Sequence, residues 1–312
     1  MDSNTLHIIF TMDVMPPGDR GPLHGPESWQ QAEDTIRAFM DGIEAAGQTA
    51  TLFVAPQCLK ALGGILEEVG QQGGQLGLLC HPQLSNYQSY LGSYSFDRQR
   101  EIIRHSVALW ERQREDRPRT FRSGFFSAND YTYQVLCLEG FEQGSCSLPG
   151  RIDPEQCSLW QSAAPFPHHT DPLDRKLAGT MEFFEVPVTS DFEASGDPQA
   201  ETYTPPHLRI EEPSINDHAE KVIRTHIEGM EGDQARGRSI VFVTHDAVPW
   251  GQSPNPHRER LHNLLSLLED LCAKKGLEPT PATVKDLHAS VDDGWHANGH
   301  TGSLDDLNER NE

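Results

Sequence analysis

Short apolar runs alternate with amphipathic stretches along most of this chain, the pattern of repeated βα units. Leu6–Thr11 reads as a first strand, and the Gly/Pro-rich stretch 16–26 reads as a loop. Ser28 with Gln31 opens a helix as a capping box; Trp29, Ile36, Phe39, Met40 and Ile43 line one face of it, and Gly47 ends it. Ala50–Val54 is the next strand. Leu59, Leu62, Leu66 and Val69 mark a second helix stopped by glycines, and Gln75–Cys80 a strand whose end delivers His81. A third helix carries Ile102, Ile103, Val107 and Trp110 with Asp97 at its start. The strand Thr120–Arg122, a helix over 130–139 and the stretch Phe141–Ser147 follow. A helix over 217–230, the strand Ser239–Thr244 ending at His245, and a helix marked by Leu261, Leu264, Leu265, Leu268 and Leu271 complete the ordered pattern.

Two regions break the rhythm. The stretch 153–213 is irregular and rich in proline, with Phe183–Thr189 its clearest strand, and is expected to be a long insertion or lid on a single domain. Its Trp160, Phe166, Phe183 and Phe184 suit a small core of its own better than a sugar-stacking platform. From 289 to 312 the chain is polar and acidic, and a disordered tail is expected. One α/β domain over 1–288 is the expected organisation. Its 36% hydrophobic content and 312 residues are enough to bury a full core.

With 47 acidic and 25 basic residues the formal net charge is −22, which argues against nucleic acid or anionic lipid as a partner. No apolar run is long enough to span a membrane. The start Met1-Asp2-Ser3-Asn4 lacks a basic signal region, and the six cysteines show no CxxC spacing, so a cytoplasmic protein with free thiols is expected. There is no G-x-S-x-G elbow and no Gly-rich phosphate loop. The sequence leaves the oligomeric state open.

The chemistry-bearing residues fall directly after strands. Asp13, His81, Arg122 and His245 each end one, and in a parallel barrel such ends converge on one face. A carboxylate, imidazoles and an arginine at one point suit general acid–base hydrolysis with a stabilised oxyanion.

The same residues carry a resemblance. Thr11-Met12-Asp13 followed by Pro16, Gly77-Leu78-Leu79-Cys80-His81-Pro82, Phe121 to Asp130 and Val241-Phe242-Val243-Thr244-His245 resemble, in order, the motifs of the NodB-homology polysaccharide deacetylases. Ala50-Thr51-Leu52-Phe53-Val54 is similar to their second barrel strand, so the likeness runs from about Leu6 to His288. It implies a distorted (β/α) barrel acting as a hydrolase on the amide of an acylated sugar or of a small molecule. It also implies Asp13 as base, Arg122 as the residue that orients it, His245 as acid, and Ser127, Asn129 and Asp130 as substrate-binding residues of the third motif. Members of that family hold a zinc-type divalent metal through one acid and two histidines. Here the second acid falls on Val14 or Met15 and the first histidine on Leu79, leaving His81 as the ligand. His24, or the run His168-His169-Thr170-Asp171, could supply replacements. A catalytically inactive relative that binds a glycan or a partner is the alternative the missing ligands imply.

Overall fold

The first strand is apolar on both faces, the signature of a parallel strand covered on each side. In the computed structural model, which describes residues 4–20, 23–194, 196, 200–233 and 237–295, it forms β1 (Thr5–Val14), and only Thr5, His7 and Asp13 escape full burial. The strands β2 (Ala50–Val54), β3 (Gln75–Cys80), β4 (Thr120–Ser123), β5 (Gln143–Gly144), β6 (His168–His169), β7 (Phe184–Glu185), β8 (Ser239–His245) and β9 (Glu278–Pro281) join it in one sheet. The order is β6-β7-β5-β4-β3-β2-β1-β8, with β9 on the lower half of β1. Every pairing is parallel except β6 with β7.

Helices cover the sheet: α1 (Trp29–Glu44), α2 (Gly63–Gln71), α3 (Phe96–Glu111), α4 (Thr132–Leu138), α5 (Ile215–Asp233), α6 (Pro256–Lys275) and α7 (Val284–Trp295). The start of α1 is set by Ser28, whose Oγ accepts the Gln31 backbone N–H at 3.1 Å. Ala32, Thr35, Ile36, Phe39, Met40 and Ile43 then recur at helical spacing on its buried face. Across the sheet, Phe10 on β1 stacks on its register partner Phe242 of β8, centroids 4.8 Å apart, and Phe39 and Trp250 pack edge-on around them.

The latter part of the irregular region, from Phe184 to Ile210, joins the sheet. Main-chain hydrogen bonds lead from β5 into it and out to β8. Phe184, Val186 and Val188 donate to Glu142, Gly144 and Ser147, Leu208 donates to Thr189, and Leu208 and Ile210 bracket Val243 of β8. The segment is therefore the wall that curls the sheet into a distorted barrel, with Phe183, Phe184, Val186, Val188, Leu208 and Ile210 buried in the core. Its strands are short and separated by prolines such as Pro187, Pro205 and Pro206, which hid their period. Trp160, Phe166, Phe183 and Phe184 are all buried, in keeping with a core role.

The expected boundary at 288 also moves. Helix α7 runs on to Trp295, because Val284, Leu287 and Val291 share its buried face. The remainder of the expected tail, 296–312, lies outside the described residues. No helix among the described residues is long and apolar enough to cross a membrane.

Closure of the barrel rests on Leu208, fully buried between Thr189 and Val243. Leu208→Ala should cost about 2–5 kcal/mol, read as a lower urea midpoint. A loss under about 0.5 kcal/mol, the level of an ordinary surface change, would show that the wall is not part of the core.

Candidate active site

The parallel register of β1 on β8 sets Asp13 directly opposite His245. Asp13 Oδ1 accepts from Arg122 Nη1 at 2.8 Å. The Arg122 side chain is only 1% exposed, so its charge must be fully matched inside the protein. It is. Nη1 also donates to Thr11 Oγ1, Nε to the Ser145 carbonyl and Nη2 to Ser145 Oγ, while the guanidinium lies 4.1 Å from the Phe53 ring centroid. This clamp holds one oxygen of Asp13, whose side chain is 27% exposed.

On the other strand, His245 Nε2 lies 3.4 Å from Glu211 Oε1, and Glu211 Oε1 accepts from Arg209 at 2.8 Å. Burial lowers the His245 pKa below the ordinary imidazole value; Glu211 and Asp13 oppose that, and Arg209 adds to it. The following residue, Asp246, is fully buried, and its Oδ2 accepts the Met15 N–H at 3.0 Å. Burial pushes this carboxyl well above the usual range, and its own N–H donates to the Asp13 carbonyl. Asp246 thus pins the two strand ends together.

A cavity of about 220 Å³ opens here. Asp13, His81 and His245 line it, with His24, Met15 and Leu23 from the loop after β1, Phe125 and Phe126, and Arg151 and Arg209. Phe125 and Phe126 both have positive φ, 58° and 57°, a conformation that costs non-glycine residues on the order of 1–3 kcal/mol each. That backbone sets the Phe125 ring edge-on against the His81 imidazole at 5.1 Å. Beneath the imidazole lies Gly124, where a Cβ would come within 2.1 Å of the ring. So enclosed, His81 is depressed to about pKa 4 by burial, against a smaller opposing pull from Asp13.

No family model matches the chain, and no curated protein matches it. Solved structures do. PuuE allantoinase aligns over 96% of this chain and 93% of its own at 12% identity, TM-score 0.58. A protein from Mycobacterium smegmatis assigned as a polysaccharide deacetylase aligns over 94% and 92% at 14% identity, TM-score 0.56. Another so assigned, from Pseudomonas aeruginosa PAO1, aligns over 96% and 94% at 12% identity, TM-score 0.55. The chain has the polysaccharide deacetylase fold.

Within this deacetylase fold, the donor set around Asp13 does not fit a three-ligand divalent metal. Val14 and Leu79 are fully buried apolar side chains, and Met15 offers only a thioether. Cys80 points away from the cavity, its Sγ 3.8 Å from Ser106 Oγ of α3, and burial raises its thiol to about 12. His168 and His169 lie in β6, bonded through Nδ1 to the Phe166 and Met181 carbonyls, and Asp171 caps a turn at Leu173 and Asp174. His81 keeps a buried Nδ1 without a hydrogen-bond partner, but it is one imidazole. Among the described residues no group of three histidine, cysteine or carboxylate side chains is arranged to hold a metal ion.

The sequence-predicted residues divide in two. Asp13, His81 and His245 meet at the cavity, and Arg122 meets Asp13 from behind. Ser127, Asn129 and Asp130 do not line it. Ser127 Oγ accepts from Gly92, the Asn129 amide donates to Gly92 and Tyr94 carbonyls, and Asp130 accepts from Arg175 on the surface. Their polar groups are engaged within the chain. Sequence reasoning missed Arg151, Arg209, Glu211 and Asp246. The last was within reach as the residue after His245; the others sit in or beside the irregular wall.

His81 supplies a direct check. An imidazole with pKa 6.5 unfolded and about 4 folded makes the unfolded state bind more protons between those values. Stability contributed by the neutral ring is present above pH 6.5 and is lost as pH falls toward 4. NMR titration of the His81 Cε1–H should give a midpoint near 4; a midpoint near 6.5 would show an open ring.

Proposed function

We propose that this protein is a hydrolase acting on the C–N bond of an amide, on an acylated sugar or a small molecule. The observation that carries the reading is a pair of contacts at one cavity on adjacent strands: Asp13 bonded to Arg122, and His245 3.4 Å from Glu211. The likeness to deacetylase-fold structures supports the reaction class.

Asp13 has a free oxygen for a water molecule, the other being fixed by Arg122. As base it takes the water proton while the oxygen attacks the amide carbonyl. His245, protonated, gives its proton to the departing nitrogen, and Glu211 stabilises the imidazolium. The enclosure of about 220 Å³ is below the ~300–1,000 Å³ of common ligand pockets, which suits a small amide or one terminal sugar. With this goes the expectation of a cytoplasmic setting, supported by six free thiols. A second reading, a ligand-binding relative without turnover, is favoured by Val14 and Leu79 at ligand positions.

Release of acetate or formate from a panel of N-acetylated and N-formylated sugars and small amides, with neutral, carboxylated and phosphorylated members, tests the choice. Hydrolysis by the wild type that falls about 10²–10⁴-fold in Asp13→Asn is expected. Absence of hydrolysis across the panel, or Asp13→Asn at wild-type rate, would refute the proposal. The pH profile gives a second expected result. Glu211 raises the His245 pKa, so Glu211→Gln should move the alkaline limb of the rate profile to lower pH. An unmoved limb would take His245 out of the acid role.

A further inference from the structure

The wall of the cavity runs against the charge of the whole molecule. In a chain of net charge −22, two arginines line it, and Asp13, already matched by Arg122, is the one carboxylate that does. The acids that meet these arginines are not part of the lining. Arg209 Nη1 donates to Glu211 and Arg151 Nη2 to Asp153 at 3.3 Å and Gln156 at 2.7 Å. Those contacts leave donors over on both forks, since a guanidinium carries five N–H groups. Arg151 Nε in particular is buried with no acceptor among the described residues, and the side chain is only 14% exposed. An arginine that lines a cavity with donors to spare invites an acceptor there. The two guanidinium groups are also near enough for the charge of Arg209 to depress Arg151 below the ordinary arginine value, secondary to burial.

We infer that Arg151 and Arg209 form an anion subsite, so that the molecule bound in this cavity carries a carboxylate or phosphate beside the group presented to Asp13. Guanidinium forks match the planar or trigonal oxygens of both anions. The inference deepens the hydrolase reading and rests on it for the word substrate; the subsite itself is a matter of binding. Neutral acylated sugars and amides are then poor ligands, and the substrate class is a small acylated acid or phosphorylated amide.

Inorganic phosphate and acetate, which need no particular linker length, are the probes. Their titration into the full chain is followed by the Arg151 Nε–Hε NMR resonance, identified by its loss in Arg151→Gln. Calorimetry reports affinity in that variant and in Arg209→Lys, which keeps a cation for Glu211. Saturable binding of either anion, with a shifted resonance and affinity about tenfold weaker in Arg151→Gln, is expected. Preference for phosphate assigns a phosphorylated ligand and preference for acetate a carboxylated one. No saturable binding of either anion, or equal affinity in the wild type and both variants, overturns the subsite. Should Arg209→Lys fail to fold, the wild-type and Arg151→Gln comparison decides alone. Amide hydrolysis without anion binding would remove the subsite and leave the hydrolase reading; anion binding without hydrolysis of any amide would do the reverse.

Discussion

A single buried guanidinium organises the active end of this barrel. Arg122 lies nearly out of solvent, and removing such a charge from water costs several kcal/mol unless the charge is paired and hydrogen-bonded. It is met by Thr11 and Asp13 on β1, by Ser145 beyond β5, and by the ring of Phe53 on β2. Strands far apart in sequence must therefore end at the same level. The position of Asp13 follows from that demand, and the position of His245 follows from Asp13 through the β1–β8 register.

The remaining polar groups at this end repeat the theme of enclosed charges with assigned partners. Glu211 stands between His245 and Arg209, and Asp246 ties Met15 to the end of β8. Around them the enclosure is made by aromatic and aliphatic side chains. Phe125 and Phe126 hold strained backbone, and Gly124 leaves room for the His81 ring. Strain of this kind persists only where the surroundings fix it, and it concentrates where a ligand is shaped. The outcome is a small cavity lined by Asp13, three histidines and two arginines, with no three-ligand metal set among the described residues.

Much of this was legible in the chain. Asp13, His81, Arg122 and His245 follow long apolar strands, and a strand's end in a parallel barrel is a fixed address. The helices with full amphipathic faces, such as α1 and α3, were legible for the same reason. What stayed hidden lies where periodicity is too short to read. β5, β6 and β7 are two residues each, and the wall from Phe183 to Ile210 is interrupted by Pro187, Pro205 and Pro206. Arg209 and Glu211 reach the site only because that wall closes on Val243, a contact with no local signature. Ser127, Asn129 and Asp130, which follow Arg122 in the sequence, lie off the cavity lining and bond instead to Gly92, Tyr94 and Arg175.

A deacetylase fold here carries the Asp13–Arg122 and His245–Glu211 contacts on a donor set that does not fit a divalent ion. Metal content of the purified full chain, after exchange into metal-free buffer and then into equimolar zinc, tests it most directly when measured by plasma mass spectrometry in the wild type and in His81→Ala. The account predicts far less than one metal per chain in both. Near-stoichiometric zinc in the wild type that disappears in His81→Ala would contradict it.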